Sequence, residues 1–427
     1  MQLFLWLAVA LACTILVRRR PAHLAGLALA VCVVVPHAAS SAVTGQGLPE
    51  VLRAGTWFVL VATAVLFASN WEAARQEVRR LSITYSILVA IVVIAFAVSV
   101  TSDRPSGTAL AIDQMAAPVA LFFCVRVACA VDQGAAIIIR NYFVGLALAQ
   151  ASLAIVQWRV RSVLLYESYY RETYPWFDAG DLSRFMGTLD HPLTLSLFLT
   201  LAIPFVASFR GAKWTAVCCA VLVLGLGVTQ SRTGIVLGAC SIVYVFLVGK
   251  HQLGVRILLA TSFGVVGYAV AVSTVASEAT GRFKNDEGSS QARGEAWRYF
   301  QEHWSEYVFS GDGLGSSFGT ASDAGLRTSF ESAFIMYTID LGIIIAIAYF
   351  GIQLGVVAVS FCSEAILRGG PLAGLLACII PQTYSSLATQ GASGPIVWAA
   401  IGLCSVSLVN PALSRARVGD GVLRAER

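Results

Sequence analysis

No charged residue occurs between Arg80 and Asp103, and the stretch "SILVAIVVIAFAVSV" at 86–100 is apolar almost throughout. A hydrocarbon layer about 30 Å thick needs roughly 20 such residues to cross it as a helix. Lipid offers no partner for a backbone N–H or C=O, so the crossing segment must be helical. Further segments of this kind run at 1–17, 23–41, 55–70, 83–100, 113–131, 141–158, 192–209, 214–230, 234–249, 256–275, 331–361, 371–389 and 393–409. The expected fold is all-α, a polytopic membrane helix bundle of about 12–13 transmembrane helices. Composition points the same way: 57% of the chain is hydrophobic and 12% charged, against about 25% charged in soluble domains. The net charge of +5 then reads as asymmetry between loops, not as a surface for nucleic acid.

Met1–Val17 is followed by Arg18, Arg19 and Arg20, whereas a signal peptide carries its positive charges before the apolar run. A retained helix is expected. Placing those arginines in the cytoplasm puts Arg75, Arg79, Arg80, Arg140, Arg210, Lys213, Lys250, Arg256 and Arg368 inside with them. The tail residues Arg415, Arg417, Arg424 and Arg427 follow. The short outer loops keep only Arg53, Arg104 and Arg232, and thirteen spans leave the amino terminus outside.

Two long polar stretches divide the chain. Residues 1–158 form an N-terminal set of helices, 159–191 a first long outer loop, and 192–275 a central set. Residues 276–330 form the second long outer loop, and 331–427 the C-terminal helices and a cytoplasmic tail. Long loops are functional or disordered, and the aromatic content of these two argues for order. The segment "ARGEAWRYFQEHWSEYVF" has aromatics at 297, 300, 304 and 307, the spacing of an amphipathic helix lying on the membrane or on the bundle. All ten cysteines fall in or beside spans, and no two of the five histidines have metal-ligand spacing. Neither a disulfide framework nor a metal is expected.

The outer level of the bundle collects four ionisable residues. Arg184 precedes His191 in "SRFMGTLDHPLTLSLF", Arg232 sits in the turn "TQSRTG", Arg293 begins the amphipathic segment, and Glu331 opens "ESAFIMYTIDLG". Charge at the hydrocarbon edge is costly unless paired or wet. Snorkelling explains one such arginine; three at one depth point to a polyanion, because guanidinium forks match phosphate oxygens and keep their charge.

These stretches, with "QARGEAWRYFQEHWSEYVFSGDGLGSSF" between the last two, resemble the O-antigen ligase and polysaccharide polymerase superfamily over residues 180–345. The resemblance implies a metal-independent, cofactor-free glycosyltransferase of the bacterial inner membrane, with its active site on the periplasmic face and in the two long periplasmic loops. Its donor would be a glycan on undecaprenyl diphosphate, and its acceptor another glycan or the lipid A core. Arg184, Arg232 and Arg293 would bind the diphosphate. Glu331 would act as catalytic base, with His191 the alternative. Ligases of the family carry histidine where this chain has Glu331, which favours a polymerase of repeat units over an O-antigen ligase. Asp190 and Asp312 are further candidates for sugar hydroxyls. "GDGLGSS" looks like a phosphate cradle, but no strand precedes it and a turn is expected. A transporter of lipid-linked glycans would also need arginines near a diphosphate. It should show repeated halves and midplane charges, whereas Arg126 and Asp340 stand as the marked charges within the spans.

Overall fold

The computed structural model describes residues 1–45, 52–102, 105–132, 134–174, 176–177, 184–209, 211–249, 287–326, 329–362, 366–384 and 387–408. The expected span 256–275, the loop positions Arg104, Arg210, Lys250 and Arg256, and the tail arginines lie outside them. The described chain is all-helical, with no strand among the described residues. Five helices are long and apolar enough to cross a membrane: Ser82–Thr101, Ser106–Val131, Ala135–Val160, Ala212–Thr229 and Ile343–Phe361. Ala54–Ser69 and Trp71–Arg80, bent by 104°, make a sixth if counted as one broken span. Gln2–Val17, Pro21–Val34, Pro192–Val206, Arg232–Val248, Gly370–Thr383 and Ser393–Cys404 are apolar but only 10–17 residues long. This is the make-up of a multi-pass membrane protein.

Pro192–Val206 and Ser393–Cys404 are the innermost helices. Every residue of the second is buried, and every residue of the first except Leu193. A helix apolar on all sides belongs in the middle of a bundle. Pro192–Val206 is packed by Ala135–Val160, Ala212–Thr229, Arg232–Val248 and Gly370–Ile379. Ser82–Thr101 and Ile343–Phe361 turn most of their apolar surface outward, with Val89, Val93, Ile344 and Ile347 exposed.

The expected continuous span 331–361 is two helices, Ala333–Leu341 and Ile343–Phe361. Gly342 lies between them at φ +100°, ψ 153°, a conformation open to glycine alone. The backbone of Phe309 and Ser310 passes close to it. Trp71–Arg80, expected as loop, is a strongly amphipathic helix. Its Glu77 is buried and paired to Arg126 at 2.7 Å. Arg126 also donates to the carbonyl and hydroxyl of Ser405. Arg53, placed by topology in an outer loop, is instead buried and lies 3.7 Å from Asp113. Asp113 sits in a π-helical turn, Ala111–Ala116, a break in the regular ladder that is frequent at special sites.

Glu77 with Arg126, and Arg53 with Asp113, are thus buried as pairs, and breaking such a pair costs about 3–5 kcal/mol. We expect Glu77→Ala to lower the thermal unfolding midpoint in detergent sharply by stranding Arg126. Adding Arg126→Met should recover most of the loss.

Candidate functional site

The described residues between the helices Ala135–Val160 and Pro192–Val206 pack onto the bundle. Tyr170 and Phe177 make a small apolar cluster with Ala38, Val163 and Met186. Two glutamines of Ala135–Val160, seven residues apart and so on one face, hold its far end. Gln157 exchanges two hydrogen bonds with the backbone of Gly187, its Nε2 donating at 2.9 Å and its Oε1 accepting at 3.0 Å. Gln150 does the same for Thr188, accepting from the amide at 2.8 Å and donating to the hydroxyl at 2.7 Å. Gly187 has φ +66°, and its missing side chain leaves room for Gln150. This clamp sets the chain on both sides, Arg184 before it and His191 after it.

Arg184 donates from Nε to the Thr229 carbonyl at 2.9 Å, and the Phe185 amide donates to Val228. Arg184 is thereby seated beside the turn that carries Arg232. In that turn Gln230 adopts φ +51°, and Ser231 caps the helix Arg232–Val248 by accepting from the Gly234 amide at 3.2 Å. Gly234 is required for close packing: a Cβ there would overlap the Ser196 hydroxyl. The third arginine comes from the helix Glu287–His303, whose Ala292 and Ala296 are buried. Its aromatics divide: Tyr307, just beyond it, is buried, while Trp297 and Trp304 are each 51% exposed. Arg293 meets Glu331 at 2.7 Å, and Glu331 holds a left-handed backbone at φ +49°.

Arg184, Arg232, Arg293 and Glu331 line one open cleft of about 410 Å³ together with Gln230, Ser231, Thr233, Thr383 and Tyr384. Three arginines and one carboxylate line it, at the N-terminus of Arg232–Val248, where the helix dipole adds positive potential. The cleft can bind an anion bidentately.

His191 lies beyond it, in a second cavity of about 110 Å³ that shares Leu193 and Tyr384 with the cleft. It caps Pro192–Val206, accepting at Nδ1 from the Leu193 amide at 3.1 Å. Burial, and secondly Arg184, hold its pKa down at about 3. With Nδ1 occupied as an acceptor, the neutral ring carries its proton on Nε2 and can donate there. Asp190 is equally committed. Its carboxylate accepts from the amides of His37 and Ala38 and from the Tyr174 hydroxyl, while burial raises its pKa. The "GDGLGSS" loop does cradle an anion, but that anion is Asp340: the Gly315 and Ser317 amides and the Ser316 hydroxyl donate to its carboxylate at 3.1, 2.7 and 3.0 Å. Asp312 stands in this turn, its amide bonded to the Ile339 carbonyl at 3.0 Å.

Gln150, Gln157, Gln230, Thr383 and Tyr384 were not singled out by sequence. The two glutamines had a signal, a polar pair at helical spacing in an apolar span. Thr383 and Tyr384 belong to "IPQTY", a polar interruption of the expected span 371–389 that ends the helix at Ile379 and continues as a 3-10 turn. No protein-family model matches the chain, and no curated protein is similar to it.

Gly234→Ala should push the Arg232 turn off its seat and weaken pyrophosphate binding by the purified protein at least tenfold. Ser196→Ala, which removes the obstructing hydroxyl, should restore binding in the double variant, as measured by calorimetric titration.

Proposed function

We propose that the chain is a glycosyltransferase working at the periplasmic face of a bacterial inner membrane, within a bundle of about 12–13 helices. Its donor is a glycan on undecaprenyl diphosphate, and it joins repeat units of an O-antigen or exopolysaccharide. The observation that carries this reading is the convergence of Arg184, Arg232, Arg293 and Glu331 on one cleft. The acceptor hydroxyl oxygen attacks the anomeric carbon in line, the bond from that carbon to the phosphate oxygen breaks, and the diphosphate leaves with the electron pair. Inversion follows. The negative charge developing on the leaving oxygen falls among the guanidinium groups, where preformed positive charge acts most strongly. Glu331 takes the hydroxyl proton. Its bond to Arg293 supports a sequence of events: an arriving diphosphate competes for Arg293 and releases the carboxylate for that task.

Glu331 in place of the histidine of ligases favours a polymerase, whose acceptor is a second lipid-linked repeat rather than the lipid A core. The purified protein in liposomes should lengthen a lipid-diphosphate-linked repeat unit in the presence of EDTA. Arg232→Lys keeps charge but loses the fork, and should lose at least a hundredfold in rate and in pyrophosphate affinity. Glu331→Gln should lose a comparable rate while still binding pyrophosphate. Transfer to lipid A core without lengthening would identify a ligase instead. Translocation of the lipid without bond formation would overturn the enzyme reading.

A further inference from the structure

Beside the arginine cleft, the smaller cavity differs in chemistry. It is lined by Tyr174, Trp176, His191, Thr194, Thr389 and Gln390 among others, and no Lys or Arg occurs among its described lining residues. Its one carboxylate, Asp190, is already held by two amides and a hydroxyl. A phosphate therefore has nothing to gain there. At about 110 Å³ the cavity has room for several waters, each needing about 10–15 Å³, or for the edge of one small ring.

Its walls combine two kinds of surface. Tyr174 stacks on Trp176 with ring centres 5.4 Å apart, and the Trp176 indole, 48% exposed, meets the His191 ring edge-on at 5.1 Å. The same cavity is lined by groups that answer hydroxyls: the Nε2–H of His191, the Thr194 hydroxyl and the Gln390 amide. The Gln390 amide is fixed by donating to Asp113 at 3.3 Å. A pyranose has this same duality, with hydroxyls around its edge and C–H groups on its faces that pack against aromatic rings. The cavity adjoins the arginine cleft through a shared rim of Leu193 and Tyr384, where the Tyr384 hydroxyl donates to the Leu193 carbonyl at 3.0 Å.

We infer that the cavity of Tyr174, Trp176, His191 and Gln390 is a pyranose subsite, adjoining the diphosphate cleft and resting on the function proposed for it. His191 acts there as a hydrogen-bond donor that reads one hydroxyl, and Trp176 as the platform under the ring. The ring belongs either to the glycan attached to the diphosphate or to the incoming acceptor, and the two are separable by probe.

The experiment titrates the detergent-purified full chain with three ligands: prenyl diphosphate, the same lipid carrying one sugar, and a free oligosaccharide repeat. Trp176→Ala removes the platform. His191→Asn removes the Nε2 donor while keeping a side chain that caps helices well. Both variants should bind prenyl diphosphate as wild type does, and should lose about tenfold for a sugar-bearing ligand, the size of one lost stacking or hydrogen-bonding contact. Loss confined to the lipid-linked sugar assigns the subsite to the donor; loss confined to the free oligosaccharide assigns it to the acceptor. Unchanged affinity of both variants for both sugar ligands overturns the subsite and leaves the arginine cleft standing. Failure of wild type to bind prenyl diphosphate overturns the cleft instead. The free oligosaccharide then judges the cavity alone, and absence of Trp176-dependent binding overturns it.

Discussion

A piece of non-helical backbone can enter an apolar bundle only if protein groups satisfy its amides and carbonyls. The two-glutamine clamp on Gly187 and Thr188 meets that condition, and the rest of the site hangs from it. With Gln157 on one peptide and Gln150 on the next, the segment from Arg184 to His191 is fixed around a turn closed by the Leu189 amide donating to the Met186 carbonyl at 3.1 Å. Thr188 adds a bond to the Val33 carbonyl at 2.9 Å, and Tyr170 one to the Thr188 carbonyl at 2.8 Å. One end of the segment then meets the end of Ala212–Thr229, and the other starts Pro192–Val206. Arg184 and His191 are consequences of the same four hydrogen bonds.

The opposite wall follows the same rule. Asp340, buried in an apolar helix, would be costly alone, but the amides of a glycine-rich turn surround it. The backbones interlock as well, since Asp312 and Gly313 donate to the carbonyls of Ile339 and Asp340, and a Cβ on Gly311 would overlap the Asp340 backbone. This knot ties the end of the segment bearing Arg293 to the helix that begins after Glu331. The carboxylate of Asp340 contributes architecture, and the carboxylate nine residues earlier is left to the cleft.

Hydropathy made the helices legible, because a segment without charge in lipid has one solution. Their breaks were less so. Gly342 sits in a run apolar on both sides, and only its positive φ, set by the chain packed against it, divides the span. Arg53 and Asp113 lie 60 residues apart in sequence, so neither hydropathy nor loop charge could pair them, and Arg53 read as a loop residue. The four ionisable residues of the cleft stood out because topology placed them all at the outer level of the bundle, Arg232 in a turn between two apolar spans and the others beside or opening helices. Tyr384, Thr383 and Gln230 are uncharged and sit at helix ends, where polar residues are ordinary. The capping of Pro192–Val206 by His191 Nδ1 is a geometry that only coordinates give.

Three arginines around one carboxylate make a site whose resting charge is partly cancelled. Arg293 is half exposed and Glu331 less so, which makes the arginine the more accessible member. A phosphate approaching from the open side has more charge than one carboxylate and can take both prongs of a guanidinium, so it competes well for Arg293. A neutral sugar cannot. Under the reaction proposed above, the carboxylate held by Arg293 is released when an anion occupies the cleft, which would couple proton acceptance to donor binding.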